Sequence, residues 1–200
     1  MAVAIILKTP DFNQKVTEEK VIYVDAAYKF SESLPNKNVL GVVGDFDSLG
    51  YIPKNNEIVL LNEEKDFTDG ERAVLFAKEC GETEIVIYGA YGGRLEHILG
   101  NIALLKVAQK LGLKSKIKLE NGFMELLGTG KYRFSMKRNG KASFIPYGGN
   151  CSFLKSEGLY YKLDGLTLMP DNTRGISNVA TSEEISFEIL NGETLFIYDT

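Results

Sequence analysis

The chain has 200 residues, 44% hydrophobic and 25% charged, enough for one large domain or two small ones. Its net charge of −4 leaves no general cationic field to attract nucleic acid or anionic lipid. One histidine (His97) and two cysteines (Cys80 and Cys151) are too few for a structural zinc site and imply no disulfide framework, so any metal is expected on carboxylates, as suits a hard ion such as Mg2+. No apolar run reaches the length of about 18 residues that a membrane helix needs. The opening MAVAIILKTPDF lacks the basic start of a secretory signal, and a cytoplasmic location is expected.

In chain order, Ala2–Leu7, Lys20–Val24, Asn38–Val43, Glu57–Leu61 and Glu84–Gly89 are short runs rich in Val and Ile with little polar alternation. Such runs suit strands buried on both faces, as in a parallel sheet. A helix is expected from Thr68, with Gly70, Ala73, Val74 and Ala77 at i, i+3, i+4 and i+7. A second starts near Arg94, with Leu95, Ile98, Leu99 and Ile102 on the same spacing, and Gly112 is its stop. Beyond about residue 113 the helical period disappears. Asn121-Gly122, Asn139-Gly140 and Asn191-Gly192 then read as type I′ hairpin turns of an antiparallel sandwich. The expected layout is an α/β domain with a mainly parallel sheet over 1–114, then an all-β sandwich-like domain over 115–200. Phe12, Phe76, Phe134, Phe144, Phe153, Phe187 and Phe196 are expected in the core. Tyr160-Tyr161 is expected across a strand, one ring in and one out.

Four segments carry candidate chemistry. Gly44-Asp45-Phe46-Asp47-Ser48 follows an apolar strand. On extended backbone Asp45 and Asp47 would face one space, and a divalent cation would relieve their repulsion. That end of a parallel strand is where ligands bind in open α/β sheets. A solvated Asx turn explains the same residues. In Asp66-Phe67-Thr68-Asp69-Gly70-Glu71, Thr68 and Glu71 form a capping box and Asp69 suits a helix N-terminus. Asp66 and Asp69 together are left without a purely structural account. Gly89-Ala90-Tyr91-Gly92-Gly93-Arg94-Leu95-Glu96-His97 joins a strand to a helix. Glycine N–H groups, a helix N-terminus and an arginine there suit phosphate, although a glycine turn with a solvated arginine has the same composition. In the second half, Thr173-Arg174-Gly175-Ile176-Ser177-Asn178 suits a loop that hydrogen-bonds a small molecule, and ordinary loop chemistry accounts for it equally.

These segments, in this order and over nearly the whole chain, resemble the thiamine pyrophosphokinase (thiamine diphosphokinase) family. The G-D-x-D-S motif is Gly44 to Ser48, the D-x-T-D segment is Asp66 to Asp69, the G-G-R-x-D-H segment is Gly92 to His97, and the late S-N pair is Ser177-Asn178. Asp25-Ala26-Ala27-Tyr28 stands where the family has an aspartate-glycine-rich segment. The resemblance implies transfer of the pyrophosphoryl group of ATP to the hydroxyl of thiamine, with AMP leaving. It implies Mg2+ held by Asp45, Asp47 and Asp69, these three and Arg94 being catalytic. It implies ATP contacts from Asp25, Asp66, Thr68, Gly92, Gly93, Arg94 and His97, and substrate contacts from Glu96, Ser177 and Asn178. It also implies a homodimer with the active site at the interface. The chain departs from the family pattern at Ala26-Ala27, where glycines are usual, and at Glu96, where aspartate is usual. It also has no tryptophan to stack on thiamine. A pyrophosphokinase for another alcohol such as a pterin, a non-catalytic nucleotide or thiamine sensor, and a D-x-D phosphatase are the alternatives.

Overall fold

The computed structural model describes residues 2–10, 12–53, 58–60 (backbone only) and 67–200. The chain divides into two compact units, Met1–Lys118 and Leu119–Thr200. The first contains β1 (Val3–Ile6), β2 (Lys20–Val24), a 3-10 segment (Asp25–Ser33), β3 (Asn38–Gly44), β4 (Ile58–Leu60), α1 (Asp69–Glu79), β5 (Glu84–Tyr88), α2 (Leu95–Lys110) and β6 (Lys114–Lys118). The strands lie in the order β6-β5-β1-β2-β3-β4, and each neighbouring pair is parallel. All of β1, and Val21–Val24 and Ile85–Tyr88, are buried along successive residues, so both faces of the sheet are covered. That is why these strands read as unbroken Val and Ile runs. Of the run expected over Glu57–Leu61, residues 57 and 61 lie outside the described residues.

The strand order reverses at β1: the chain moves outward through β2, β3 and β4, then returns to place β5 on the other side of β1. A crevice at the carboxyl ends of the strands opens at such a switch point. α1 is capped by Thr68, whose Oγ1 accepts the Glu71 N–H at 3.2 Å, and it buries Ala73, Val74, Phe76 and Ala77. α2 ends as expected: Gly112 takes φ +71 and the Leu113 N–H returns to the Ala108 carbonyl at 2.9 Å. Its apolar face is only partly internal. Leu104, Leu105 and Ala108 are buried, whereas Leu95 and Leu99 are 68% and 59% exposed. The helix carries apolar residues on more of its circumference than its packing within one chain uses.

The second unit contains β7 (Gly122–Leu127), β8 (Gly130–Ser135), β9 (Lys141–Pro146), β10 (Cys151–Glu157), β11 (Thr167–Leu168), β12 (Asn178–Val179), β13 (Glu184–Asn191) and β14 (Thr194–Asp199). Two antiparallel sheets form, β12-β9-β14-β7 and β11-β10-β13-β8. Their inner faces meet in an aromatic core. Phe144 and Phe196 come from the first sheet and Phe153 and Phe187 from the second, with Phe144 and Phe187 edge to face at 5.0 Å. Phe12 and Phe134 are half-buried, and Phe12 stacks on Phe30 at 4.9 Å.

Two hairpin expectations fail for a common reason. Asn139-Gly140 joins β8 to β9 and Asn191-Gly192 joins β13 to β14, but the strands of each pair lie in different sheets. Both turns therefore carry the chain from sheet to sheet. Only Asn139 (φ +65) and Gly192 (φ +87) are left-handed, and Asn121 and Gly122 are not, so none is a type I′ turn. Tyr160 and Tyr161 also differ from expectation. They sit outside the strands, both rings are exposed, and they meet edge to face at 4.9 Å.

Candidate active site

A pocket of about 1070 Å³ opens at the switch point of the first unit. Residues from the ends of β1, β2 and β3, the start of α1, and the turn between β5 and α2 line it. Asp25, Asp45, Asp47, Thr68, Asp69, Gly92, Gly93, Arg94, Glu96 and His97 are all among the lining residues. Asp66 lies outside the described residues. Ser177 and Asn178 belong to the second unit.

Asp45 and Asp47 share a space, though not because a strand points them there. β3 ends at Gly44, and the D-x-D segment is a turn built around Phe46. Phe46 is buried with φ +63, and its carbonyl accepts the N–H groups of Leu49 and Gly50 at 3.2 and 3.0 Å. The buried ring anchors the turn, so the aspartates flanking it project into the pocket. The Asp47 N–H donates to Asp45 Oδ1 at 3.3 Å, and the Ser48 N–H donates to Asp47 Oδ1. Hydrogen bonds from Ser48 hold the Asp47 carboxyl below its ordinary value. One carboxylate oxygen each from Asp25, Asp45 and Asp47 lies within 4.8 Å of the others. Asp69, expected with Asp45 and Asp47, lines the same pocket but is not one of this trio. Three convergent carboxylates would suit a hard divalent cation such as Mg2+.

Gly92 and Gly93 line the same pocket, and the Gly89–Gly93 turn is tied down by residues that sequence patterning did not single out. Gln14 accepts the Gly89 N–H at 2.8 Å and donates to the Lys118 carbonyl at 2.9 Å. Thr9 Oγ1 donates to the Tyr91 carbonyl at 2.9 Å, and Asn101 donates to the Ala90 carbonyl at 3.1 Å. A side chain at Gly89 would put its Cβ 2.4 Å from the Leu7 carbonyl oxygen, so glycine is required where this turn crosses the end of β1. Lys8, exposed at the rim, adds a cation. A position just past the central strand is the signal that could have found Lys8 and Thr9. Gln14 and Asn101 give no such signal, because their partners are backbone groups distant in sequence.

Arg94 is the N-cap of α2 without a side-chain cap, and its guanidinium bonds the Glu96 carboxylate. The Glu96 backbone N–H and Arg94 together hold the Glu96 carboxyl below its ordinary value. Both side chains are largely exposed, so the pair orients Arg94 more than it stabilises the fold.

In the second unit Ser177 has φ +61 and its N–H donates to Ser143 Oγ at 3.0 Å. Asn178 is buried. Its Oδ1 accepts the N–H groups of Tyr161 and Val179 at 3.0 and 2.8 Å, and its Nδ2 donates to the Tyr161 carbonyl at 2.6 Å. The amide therefore clamps the segment that exposes Tyr160 and Tyr161. Asp25, Phe46 and Ser177 are three of the five described non-glycine residues with left-handed backbone. Strained conformations of this kind gather at functional sites.

A family model described as thiamin pyrophosphokinase, catalytic domain, matches residues 15–117. A second, described as thiamin pyrophosphokinase, vitamin B1 binding domain, matches residues 131–192. Thiamine pyrophosphokinase of Bacillus subtilis (strain 168) is 29% identical over 164 residues, covering 78% of this chain and 77% of its own. The crystal structure of a Bacillus subtilis thiamine pyrophosphokinase superposes with a TM-score of 0.86 at 23% identity, covering 100% of this chain and 99% of that one. The yeast thiamin pyrophosphokinase structure superposes at 0.77 with 13% identity, covering 99% of this chain and 86% of that one.

Proposed function

The chain belongs to the thiamine pyrophosphokinase family, and on that premise we propose that it transfers the pyrophosphoryl group of ATP to the hydroxyl of thiamine, giving thiamine diphosphate and AMP. The supporting observation is convergence: carboxylates after β2 and β3, the capped start of α1 and the glycine-arginine start of α2 line one pocket. A transfer of this kind needs positioning and charge neutralisation more than covalent help from the protein.

In this reading Asp45 and Asp47 hold Mg2+, which neutralises phosphate charge when bound. The N–H groups of the Gly92-Gly93 turn, the Arg94 guanidinium, Lys8, Thr68 and His97 hold ATP. The Asp69 carboxylate takes the proton of the thiamine hydroxyl as that oxygen bonds to the β-phosphorus. The bond from the β-phosphorus to the α,β-bridging oxygen breaks, and AMP leaves. Glu96 keeps Arg94 oriented until phosphate competes for it. The reaction is read as cytoplasmic, where ATP is at hand. The test is AMP release with thiamine present and omitted. Release that depends on thiamine supports the reading. Release that instead depends on a pterin alcohol, or phosphate release without thiamine, rejects it.

Thiamine recognition is assigned to the second unit. Its thiazolium ring is a cation, and tyrosine faces attract cations by about 0.5–2 kcal/mol. Tyr161, whose backbone the Asn178 amide clamps, and the adjoining Tyr160 offer such faces, and Ser177 precedes Asn178 in the chain. Tyr161→Ala is expected to raise the KM for thiamine by about tenfold while kcat changes little, and Tyr161→Phe is expected to keep most of the affinity. An unchanged KM in Tyr161→Ala removes this ring from the binding surface.

The exposed stripe on α2 supports a homodimer. Leu95 and Leu99 lie one turn apart and flank the pocket residues Glu96, His97 and Gly100. A second copy covering this stripe would remove both side chains from water beside the ATP site. Light scattering is expected to give twice the 22.2 kDa chain mass. The double variant Leu95→Asp, Leu99→Asp is expected to give the single mass with lowered kcat/KM. A wild-type monomer would remove the dimer from this reading.

A further inference from the structure

At its carboxyl end β5 is held differently on its two sides. Toward β1 the backbone bonding continues, and the Leu7 N–H donates to the Tyr88 carbonyl at 3.0 Å. Toward β6 the last registered pair is Ile87 with Ile117. Beyond it the side-chain amide of Gln14 bridges the two strand ends. Its Oε1 accepts the Gly89 N–H at 2.8 Å, and its Nε2 donates to the Lys118 carbonyl at 2.9 Å and to the Tyr91 hydroxyl at 3.2 Å. The acceptor and both amide hydrogens of Gln14 are thereby engaged.

Gln14 comes from the irregular segment between β1 and β2, one residue ahead of the region that the catalytic-domain model matches. It is half-buried between exposed Asn13 and Lys15, so this segment turns one side chain inward. The place it serves is conformationally soft. Gly89 and Gly92 take φ +70 and +93, and glycine adopts such angles about as readily as negative ones. A loose turn would lose that freedom each time phosphate bound, which weakens binding. An anchored turn loses it once, on folding, and presents its N–H groups already placed. Thr9 and Asn101 hold the Tyr91 and Ala90 carbonyls. Gln14 fixes where the turn leaves the sheet, because it grips the first N–H of the turn and the end of the neighbouring strand together.

We infer that Gln14 is a positioning residue for nucleotide binding: it sets the Gly89–Gly93 turn so that Gly92, Gly93 and Arg94 meet the phosphate chain. Gln14 itself is not among the residues lining the pocket, so it acts through the turn. Its role rests on the reading of that turn as the ATP phosphate site, but not on which alcohol receives the transferred group.

Gln14→Met keeps the length and much of the volume of the side chain and removes its hydrogen bonds. Wild type, Gln14→Met and Tyr91→Phe are compared by titration calorimetry of the full chain with Mg-ATP and with inorganic tripolyphosphate, thiamine being omitted. Gln14→Met is expected to bind both ligands about tenfold more weakly, the worth of one or two such bonds. Tyr91→Phe removes only the longest of the three contacts and is expected to lose about twofold. In steady-state kinetics Gln14→Met is expected to raise the KM for ATP by about tenfold and to leave the KM for thiamine within about twofold of wild type. A Gln14 that serves only the fold would give a lower unfolding temperature with ATP and tripolyphosphate affinities intact, and that result would overturn the inference. Equal rises in both KM values would also overturn it, because they would report a general distortion. If the wild type binds ATP but releases no AMP with thiamine, weaker ATP binding by Gln14→Met upholds the role of Gln14 and rejects the transferase reading. A wild type that binds neither ATP nor tripolyphosphate overturns both.

Discussion

Asp45→Asn is expected to lower kcat/KM for thiamine-dependent AMP release by a factor of about 10³, which corresponds to about 4 kcal/mol of transition-state stabilisation. The substitution keeps the size and shape of the side chain and removes one negative charge. Asp45 is half-buried beside Asp25 and Asp47, so the charge it contributes to the cation site acts where water screens it less. The variant is expected to fold, because removing one of three crowded carboxylates relieves repulsion in the metal-free protein. Its unfolding temperature without Mg2+ should match or exceed the wild type, and its Mg2+-dependent stabilisation should shrink. Asp47→Asn is expected to behave alike, with a smaller loss because Asp47 is exposed. Steady-state kinetics at saturating Mg2+ check this. A loss of less than about tenfold, or about 1.4 kcal/mol, would mean that Asp45 is not part of the machinery.

The largest effect on stability is expected from Phe196→Ala, at about 3–5 kcal/mol. Phe196 is completely buried in β14 and packs within 5.2 Å, centroid to centroid, of Phe134, Phe144, Phe187 and Tyr198. Phe144 shares its sheet, while Phe134 and Phe187 belong to the opposite one. Removing the ring therefore opens a cavity where the two sheets of the second unit meet, and stacked aromatics collapse poorly into such a space. For a chain of this size the expected fall in unfolding temperature is about 6–20 °C. Phe196→Leu, which keeps most of the volume, is expected to cost less than about 1.5 kcal/mol. Chemical denaturation followed by tyrosine near-ultraviolet signal checks both. A cost below about 1 kcal/mol for Phe196→Ala would show that the ring is not a keystone of that core.

The parallel sheet was legible because strands covered on both faces need apolar residues at every position, and β1, β2 and β5 meet that need without interruption. Much of the pocket was legible for a related reason. A polar motif directly after such a strand can only emerge at its carboxyl end, where Asp45, Asp47 and the Gly92-Gly93-Arg94 turn were expected. What stayed hidden depends on which strands become neighbours. Asp25 meets Asp45 and Asp47 because β2 pairs with β3, and no local pattern states that pairing. Gln14 and Asn101 act through carbonyls and N–H groups 11 to 104 residues away. The Asn-Gly pairs mark tight turns correctly, yet the same dihedral preferences serve a hairpin or a crossing between sheets. Leu95 and Leu99 fit a helical period, but period alone does not say whether the covering surface lies in the same chain.

The most direct test of the central claim is to incubate the protein with ATP, Mg2+ and thiamine and follow the products by phosphorus NMR. The account predicts AMP and thiamine diphosphate in equal amounts, both absent when thiamine is omitted. ADP with thiamine monophosphate, or inorganic phosphate formed without thiamine, would contradict pyrophosphoryl transfer.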